Sequence, residues 1–597
     1  METNLQNRES ANKAGSQNQV LDFCNQIPNK LKVLLGSFDL KKPQDIFDFL
    51  QPKISNLENP YKILNLEKAS ERLWQAWLKQ ESILIYGDYD LDGTSGIALL
   101  YTSFQALGFK NLNYFQPSKA NDGYGLHASV LEKYKLDHEI TLVVTVDVGI
   151  TGTVACIRAR ELKIDVIITD HHLAQDELPD AFAIVNPNQP DDRSGLGYLC
   201  GCGVGFYLVR GLCKKFVENG SQVAFDLKSV LPFFAIATVT DMVPIVKDNR
   251  TLLKFAFESF RSVSNLGLKA LMEELKISGR KLDAADIGLT LAPKINAISR
   301  MSATIKPIDL LFQDTEVGAK MFAKDILKLN VERKQLQEKG LQEVKTAFTD
   351  QQLNKPTDLA NPYRVFFYSS PNIHHGVTGL IASKMVEQFG GSFFIGAQSL
   401  ETGVVVGSSR KSDKVTYSLV DAMAVSKAYW IRFGGHASAA GFEYLKDNQN
   451  LLADNAQSYL DQLVPTDGTL ENGSKGAGLG GSDLIDLDWF DLNTHFFSWV
   501  QFLEPYGKQF PEPVFRLKNV PVFSVKKMKE IHFKLNVVNP HNREPLNFVL
   551  FNSNSQQQKM LTSLNREFDI CFKIKKDNFN YDQRFQFIIE RISSVSI

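Results

Sequence analysis

From about residue 80 the chain alternates between short apolar runs and segments of helical period. SILIYGD reads as a buried strand, TSGIALLYTSFQALG as a helix, NLNYFQP as a strand and LHASVLEKYK as a helix. TLVVTVD, ITGTVACIRARELK and DVIITDHH continue as strand, helix and strand. Uninterrupted β-branched runs suit strands buried on both faces, and the helices between them supply the crossovers. The pattern predicts a doubly wound parallel α/β sheet within residues 61–312. A further apolar run, FFAIATVT, reads as one more strand whose end carries an acid, Asp241.

The stretch DTEVGAKMFAKDILKLNVERKQLQEKGLQEVKTAF keeps helical spacing with many charges and predicts a long connecting helix over 313–350. A second α/β pattern, YRVFFYSS, GLIASKMVEQF, GSFFIGA and GVVVGSSR, occupies 363–465. Residues 466–482 are rich in Gly and Ser and read as a flexible linker. In 483–597 short alternating segments such as PVFRLKNVPVFSV, HFKLNVV, LNFVLFN and RFQFIIERI predict an all-β barrel of the oligonucleotide-binding type. Residues 1–60 form a lead-in whose first 19 residues, rich in Asn, Gln and Ser, read as disordered.

A length of 597 residues is too great for one core and requires several domains. The formal net charge of −1 conceals an asymmetry: residues 505–597 carry 15 Lys plus Arg against 8 Asp plus Glu, a net +7, and the remainder is −8. A basic strand module interleaved with Phe533, Phe548, Phe551, Phe572, Phe585 and Phe587 suits a single-stranded nucleic acid, although each phenylalanine taken singly fits a core position better. The six cysteines are scattered, and Cys200 and Cys202 have no second pair, too few ligands for structural zinc. The N-terminus is polar, and the longest apolar run, VLPFFAIATVTDMVPIV, is short and carries Asp241. A cytoplasmic chain without membrane contact is expected.

The chemistry gathers at element ends. Asp88, Asp90 and Asp92 follow SILIYG, Asp147 follows TLVVTV, Asp170, His171 and His172 follow DVIIT, and Asp241 follows FFAIATVT. Open parallel sheets bind ligands beyond the carboxyl ends of their strands. Taken one at a time, an Asp after a strand is usually a helix N-cap. Four such clusters at successive ends imply convergence, and that many carboxylates need compensating charge. Carboxylate plus imidazole without thiolate favours Mn²⁺ or Mg²⁺. If Asp88, Asp90 and Asp92 lie on an extended segment, all three face one site.

At DYDLDGTSG, TVDVG, TDHH and ATVTDMVP the sequence resembles the DHH phosphoesterase superfamily, named for the triplet present here as Asp170-His171-His172. APKINAISRM, HHGVTGLIASKM, VVGSSRKS, RFGGHASAAGF and LEPYGKQFPEPVF narrow the resemblance to the RecJ family, matched in order from about residue 60 to the end. The resemblance implies a 5′-to-3′ exonuclease that hydrolyses single-stranded DNA to nucleoside monophosphates with two divalent cations, Mn²⁺ or Mg²⁺. By the family pattern Asp88, Asp90 and Asp147 hold one metal. Asp92, Asp147, His171 and Asp241 hold the other. Asp170 orients its neighbours, and His172 faces the scissile phosphate. The second domain resembles the DHH-associated domain, whose glycine loop here is Gly434–Gly441. Gly434, Gly435 and His436, with Ser408, Ser409 and Arg410, are then phosphate-binding candidates, and Asn296, Arg300 and His375 contact the DNA backbone.

The sequence departs from the family pattern at QPSKANDGYG, where Lys119 replaces an arginine that grips the 5′ phosphate. Lysine keeps the charge but loses the planar fork, so a looser preference for a phosphorylated end is expected. The resemblance also implies a monomer working in recombination and repair beside a helicase and single-strand-binding protein. Two rivals share parts of the pattern. A phosphoesterase acting on cyclic dinucleotides or very short oligonucleotides needs the acids but not the basic barrel. A non-catalytic DNA-binding relative lacks some of the acids that are all present here.

Overall fold

Five short runs pair into one parallel sheet: β1 (Ile83–Gly87), β2 (Leu112–Phe115), β3 (Leu142–Val146), β4 (Asp165–Thr169) and β5 (Ala183–Val185), in the order β2-β1-β3-β4-β5. The computed structural model describes residues 18–118, 125–174, 177–301, 304–354, 362–413, 415–464, 484–562, 567–576 and 585–594. The polar N-terminal stretch before residue 18, the Gly/Ser-rich 466–482 and Lys119 lie outside the described residues.

Alternate side chains of each strand enter opposite cores, as a two-residue period requires. Ile83, Ile85, Leu142 and Val144 pack against the Leu91–Ala106, Gly201–Glu218 and Leu231–Thr240 helices. Leu84, Tyr86, Val143 and Ile168 pack against Ala128–His138 and Thr153–Glu161. The apolar run before Asp241 is therefore a helix, not a strand. Pro232 sits in its first turn, where a missing N–H costs nothing. The run is buried from Leu231 to Thr238, so no polar side marks its period.

A 39-residue helix, Glu316–Asn354, packs on Leu266–Glu274 and Ala292–Met301 of the first domain and on Thr378–Phe389 of the second. The second sheet runs β6 (Val365–Ser370), β7 (Ser392–Gln398), β8 (Val404–Lys411), β10 (Ala439–Leu445), β9 (Trp430–Gly435), with only β6 and β7 parallel. The third comprises β11 (Ile485–Asp486), β12 (Phe515–Met528), β13 (His532–Val538), β14 (Pro545–Leu550), β15 (Glu567–Lys576) and β16 (Phe585–Ser594), and closes through β12–β15 pairing.

Phe533, Phe548, Phe572 and Phe587 fill the barrel interior and cannot stack bases; Phe585 is half-buried against Phe497. Phe551 is exposed, as is Phe523, which the sequence reading passed over. The lead-in belongs to this module: Ile27, Leu31, Leu35 and Leu50 share its core with Phe496, Phe510 and Phe515. Arg250 joins it to the first domain. The buried guanidinium donates to the carbonyls of Phe49, Leu503 and Pro505 and lies over the Phe49 and Phe510 rings. Among the described residues, no helix is long and apolar enough to cross a membrane.

Candidate active site

Register assembles the centre of the site. Gly87 pairs with Val146, and Val146 with Thr169. The next residues, Asp88, Asp147 and Asp170, therefore emerge side by side from three adjacent strands. The chain turns at once after β1. Asp90 is the N-cap of Leu91–Ala106, accepting from the amides of Asp92 (2.8 Å) and Gly93 (3.2 Å). Asp88, Asp90 and Asp92 thus do not alternate along an extended segment: Asp92 already lies in the first helical turn. A Cβ on Gly93 would come within 2.4 Å of the Asp88 nitrogen, so only glycine lets the helix start this close to the strand end.

Asp92 is buried and accepts from the amides of Gly201 and Cys202, both at 2.7 Å, at the start of the Gly201–Glu218 helix. That helix end supplies partial positive charge beneath the site. His171 Nε2 lies 3.2 Å from Asp147 Oδ1, 3.7 Å from Asp241 Oδ2 and 3.8 Å from Asp92 Oδ2. Asp241 reaches it from the C-terminal end of the Leu231–Thr240 helix. Three groupings have ligand atoms within 4.8 Å of one another: Asp88, Asp90 and Asp147; Asp92, His171 and Asp241; and Asp147, His171 and His172. Neither Cys200 nor Cys202 joins them.

Two observations fit this set to divalent cations. Asp88 Oδ1 and Asp147 Oδ1 are buried acceptors without a hydrogen-bond partner, an arrangement that costs free energy unless something positive is bound. Asp147 also holds a left-handed backbone (φ +64°), and such strain collects at functional sites. Without a cation, ionisation is costly for several of these carboxyls. Burial and then the Asp90 charge push Asp88 up to about 8 and Asp241 up to about 6. Burial and neighbouring acids likewise raise Asp92 and Asp147. Asp170 differs. Burial alone would raise it, but the His172 ring and the amides of Ile150 and His172 hold it below the usual range. His172 Nδ1 sits 2.8 Å from Asp170 Oδ1, and this contact outweighs burial to lift His172 to about 9. Burial lowers His171 to about 4, which leaves its ring neutral and able to ligate.

A second polar region lies where the domains meet. Arg300, on Ala292–Met301, donates to the Gly376 carbonyl (3.2 Å), next to His375, whose ring stacks on His374. Asn296 is one helical turn before Arg300. Ser408 and Arg410 share one face of β8 by its two-residue period. Ser409 points to the other face and spends its hydroxyl on the Ala440 carbonyl, so it does not join them. Gly434 and Gly435 are the exposed end of β9, paired with Gly441 and Ala440, His436 opens the turn to β10, and Ala439 pairs with Arg410 beside it.

Residues 82–237 match the DHH family, N-terminal domain, and residues 485–591 match the RecJ OB domain. The chain is 29% identical to the single-stranded-DNA-specific exonuclease RecJ of Escherichia coli (strain K12), covering 96% of this chain and 97% of that one. It is 28% identical to the RecJ of Bacillus subtilis (strain 168), covering 85% of this chain but only 61% of the longer relative. The fold superimposes on the crystal structure of RecJ in complex with Mn²⁺ from Thermus thermophilus with TM-score 0.72 at 22% identity, covering 96% of this chain and 79% of that one. A crystal structure of exonuclease RecJ bound to manganese is 26% identical with TM-score 0.57, covering 69% and 98%. The chain thus carries a DHH-type domain and a RecJ-type OB domain and is similar to RecJ exonucleases over most of its length.

Three positions of this site escaped the sequence reading. Asn186 and Asn188, just past β5, donate to the carbonyls of His172 (2.9 Å) and His171 (2.6 Å) and fix the histidine turn. The NPN that follows a strand end was the available signal. Arg333, on the long helix, is buried with its Nε unpartnered. Burial, then the charges of Arg333 and Arg410, lower the Arg300 pKa. Among the described residues none of these three guanidiniums pairs with a carboxylate. In the sequence Arg333 is one charge among many on a charged helix, and nothing singles it out.

Proposed function

We propose that this chain is a 5′-to-3′ exonuclease that hydrolyses single-stranded DNA to nucleoside 5′-monophosphates in recombination and repair, using two divalent cations, Mn²⁺ or Mg²⁺. The observation that carries the reading is the meeting of seven acidic and imidazole side chains at one end of the parallel sheet, with two buried carboxylate oxygens left unpartnered. On this reading Asp88, Asp90 and Asp147 hold one cation, and Asp92, Asp147, His171 and Asp241 hold the other. When bound, such a pair neutralises the crowded carboxylates and lowers the pKa of an attacking water.

The chain's own groups do the rest. Asp170 keeps His172 protonated, and His172 steadies the scissile phosphate or donates a proton. Asn296, Arg300, His375, Ser408, Arg410 and the Gly434–His436 segment grip the sugar-phosphate backbone, and Lys119 takes the role of the 5′-phosphate contact. Three uncompensated arginines favour a polyanion that takes the place of absent carboxylates. The 313–350 helix and the 363–465 DHH-associated domain roof a cleft for one strand over the 61–312 catalytic domain, and the 483–597 barrel feeds it. The protein acts as a cytoplasmic monomer beside a helicase and single-strand-binding protein.

End-labelled single-stranded DNA, duplex DNA and a cyclic dinucleotide, each incubated with the full chain and Mn²⁺, test this. Mononucleotides released from the 5′ end of the single strand alone are expected. Cleavage of the cyclic dinucleotide with the long strand left intact would overturn it in favour of the small-substrate phosphoesterase.

A further inference from the structure

Gln116 lies one residue past β2, at the same edge of the sheet as the acids, and is buried at 2% exposure. Its amide nitrogen donates to the main-chain carbonyl of Asp88 (3.1 Å) and to Thr94 Oγ1. Its Oε1 accepts from the Ile308 amide at 3.2 Å. The orientation is unambiguous, because a carbonyl only accepts and a main-chain N–H only donates. Thr94 in turn donates its hydroxyl proton to the Asp90 carbonyl. One side chain therefore holds, directly and through Thr94, the backbone of both Asp88 and Asp90. These two carboxylates group with Asp147. Asp88 Oδ1 has no hydrogen bond of its own, and the carboxylate's other hold is the adjoining Tyr89 amide on the same strand-end backbone, so its direction follows how that backbone is held.

The opposite end of Gln116 is anchored as well. Its main-chain oxygen accepts from Lys306 Nζ, at the start of the Pro307–Leu311 helix. A buried glutamine with every amide group engaged costs side-chain entropy and desolvation that an apolar residue in a strand-end turn would avoid. Capping the Ile308 amide needs only the Oε1, and the two donor contacts toward Asp88 and Thr94 are left unexplained by it.

We infer that Gln116 is a positioning residue that aims Asp88 and Asp90 at the cation they share with Asp147. The inference rests on the two-cation reading above. Outer hydrogen-bond partners of metal ligands set affinity by about 10–100-fold. Mn²⁺ titrations of the full chain followed by electron paramagnetic resonance separate the two site classes. Gln116→Met, which keeps the shape and removes the amide, is expected to weaken one class by about tenfold or more and leave the other near wild type. Exonuclease activity should fall and return on raising Mn²⁺, with KM for DNA unchanged. Lys306→Met, which removes the ammonium from the Gln116 main-chain oxygen, should bind Mn²⁺ as wild type does. Wild-type affinity at both sites in Gln116→Met, or equal loss at both, overturns the inference. If that variant does not fold, Thr94→Val removes the arm to Asp90 and is read by the same criteria. Failure of the wild-type chain to bind Mn²⁺ overturns the two-cation reading and this inference together. Intact two-site binding in wild type and Gln116→Met alike overturns this inference alone.

Discussion

Asp147 combines a left-handed backbone, complete burial and an unpartnered carboxylate oxygen at the point where two of the ligand groupings meet. Its replacement by Asn has opposite expected effects on activity and on stability. Loss of a ligand charge should cut the hydrolysis rate by about a hundredfold or more. Removal of a buried carboxyl whose ionisation is opposed by burial and by its acidic neighbours, in favour of a neutral side chain that tolerates positive φ, should raise the melting temperature of the metal-free protein. Calorimetry beside a rate assay checks both. The titration of the cluster has a definite sign. Asp88 at about 8 and Asp241 at about 6 lie above the ordinary carboxylate value, so the folded chain holds protons that the unfolded chain releases. His172 at about 9 acts in the same direction. This stabilisation is complete at low pH and is lost as the pH rises through 6, 8 and 9. The metal-free protein should therefore melt at a lower temperature at pH 8 than at pH 6. Added Mn²⁺, which takes the place of the protons, should raise the melting temperature most at pH 8.

Elements bring these residues within reach through close backbone approaches. The Gly201–Glu218 helix starts against Asp147, and a Cβ at Gly201 would fall 2.4 Å from the Asp147 Cβ and 2.7 Å from its Oδ1. Gly201→Ala must shift either the helix end or the aspartate. We expect a stability cost of about 1–3 kcal/mol, together with weaker Mn²⁺ binding, measurable by denaturant titration and by metal titration. The same helix end donates two amides to Asp92, so displacement would also loosen a second carboxylate of the cluster. The Leu231–Thr240 helix shows where pattern reading fails at this scale. A helix enclosed by neighbours on every side has no polar face to reveal its period, whereas the 39-residue charged helix is legible because much of it meets solvent.

At the scale of the molecule the lead-in and the barrel form one body, with Arg250 as the link to the first domain. Cutting away the barrel would uncover Leu31, Leu35 and Leu50, so its role in DNA binding is better tested by point substitution. Lys526 and Lys534 face each other across β12 and β13, and exposed Phe551 lies against His532 just beyond. Replacing both lysines by Ala should weaken binding of long single strands and lower the salt slope by about 0.7 per lost phosphate contact, with little change on very short strands. Fluorescence anisotropy across a salt series checks this. Unchanged slopes would place the strand elsewhere on the surface.

The sequence by itself determined the parallel sheet, the long helix, the basic barrel and the identities of the acids and histidines, because burial imposes periods of two and 3.6 and polar groups cannot end inside a core unpaired. Only the tertiary structure decided how those groups meet. The β1–β3–β4 register aligns Asp88, Asp147 and Asp170, a helix rather than a strand delivers Asp241, and the β8 alternation removes Ser409 from the face that carries Ser408 and Arg410. Gln116, Asn186, Asn188 and Arg333 stayed invisible for one physical reason. Each acts through backbone carbonyls or through neighbours far away in the chain, and such partners exist only once the domains are packed.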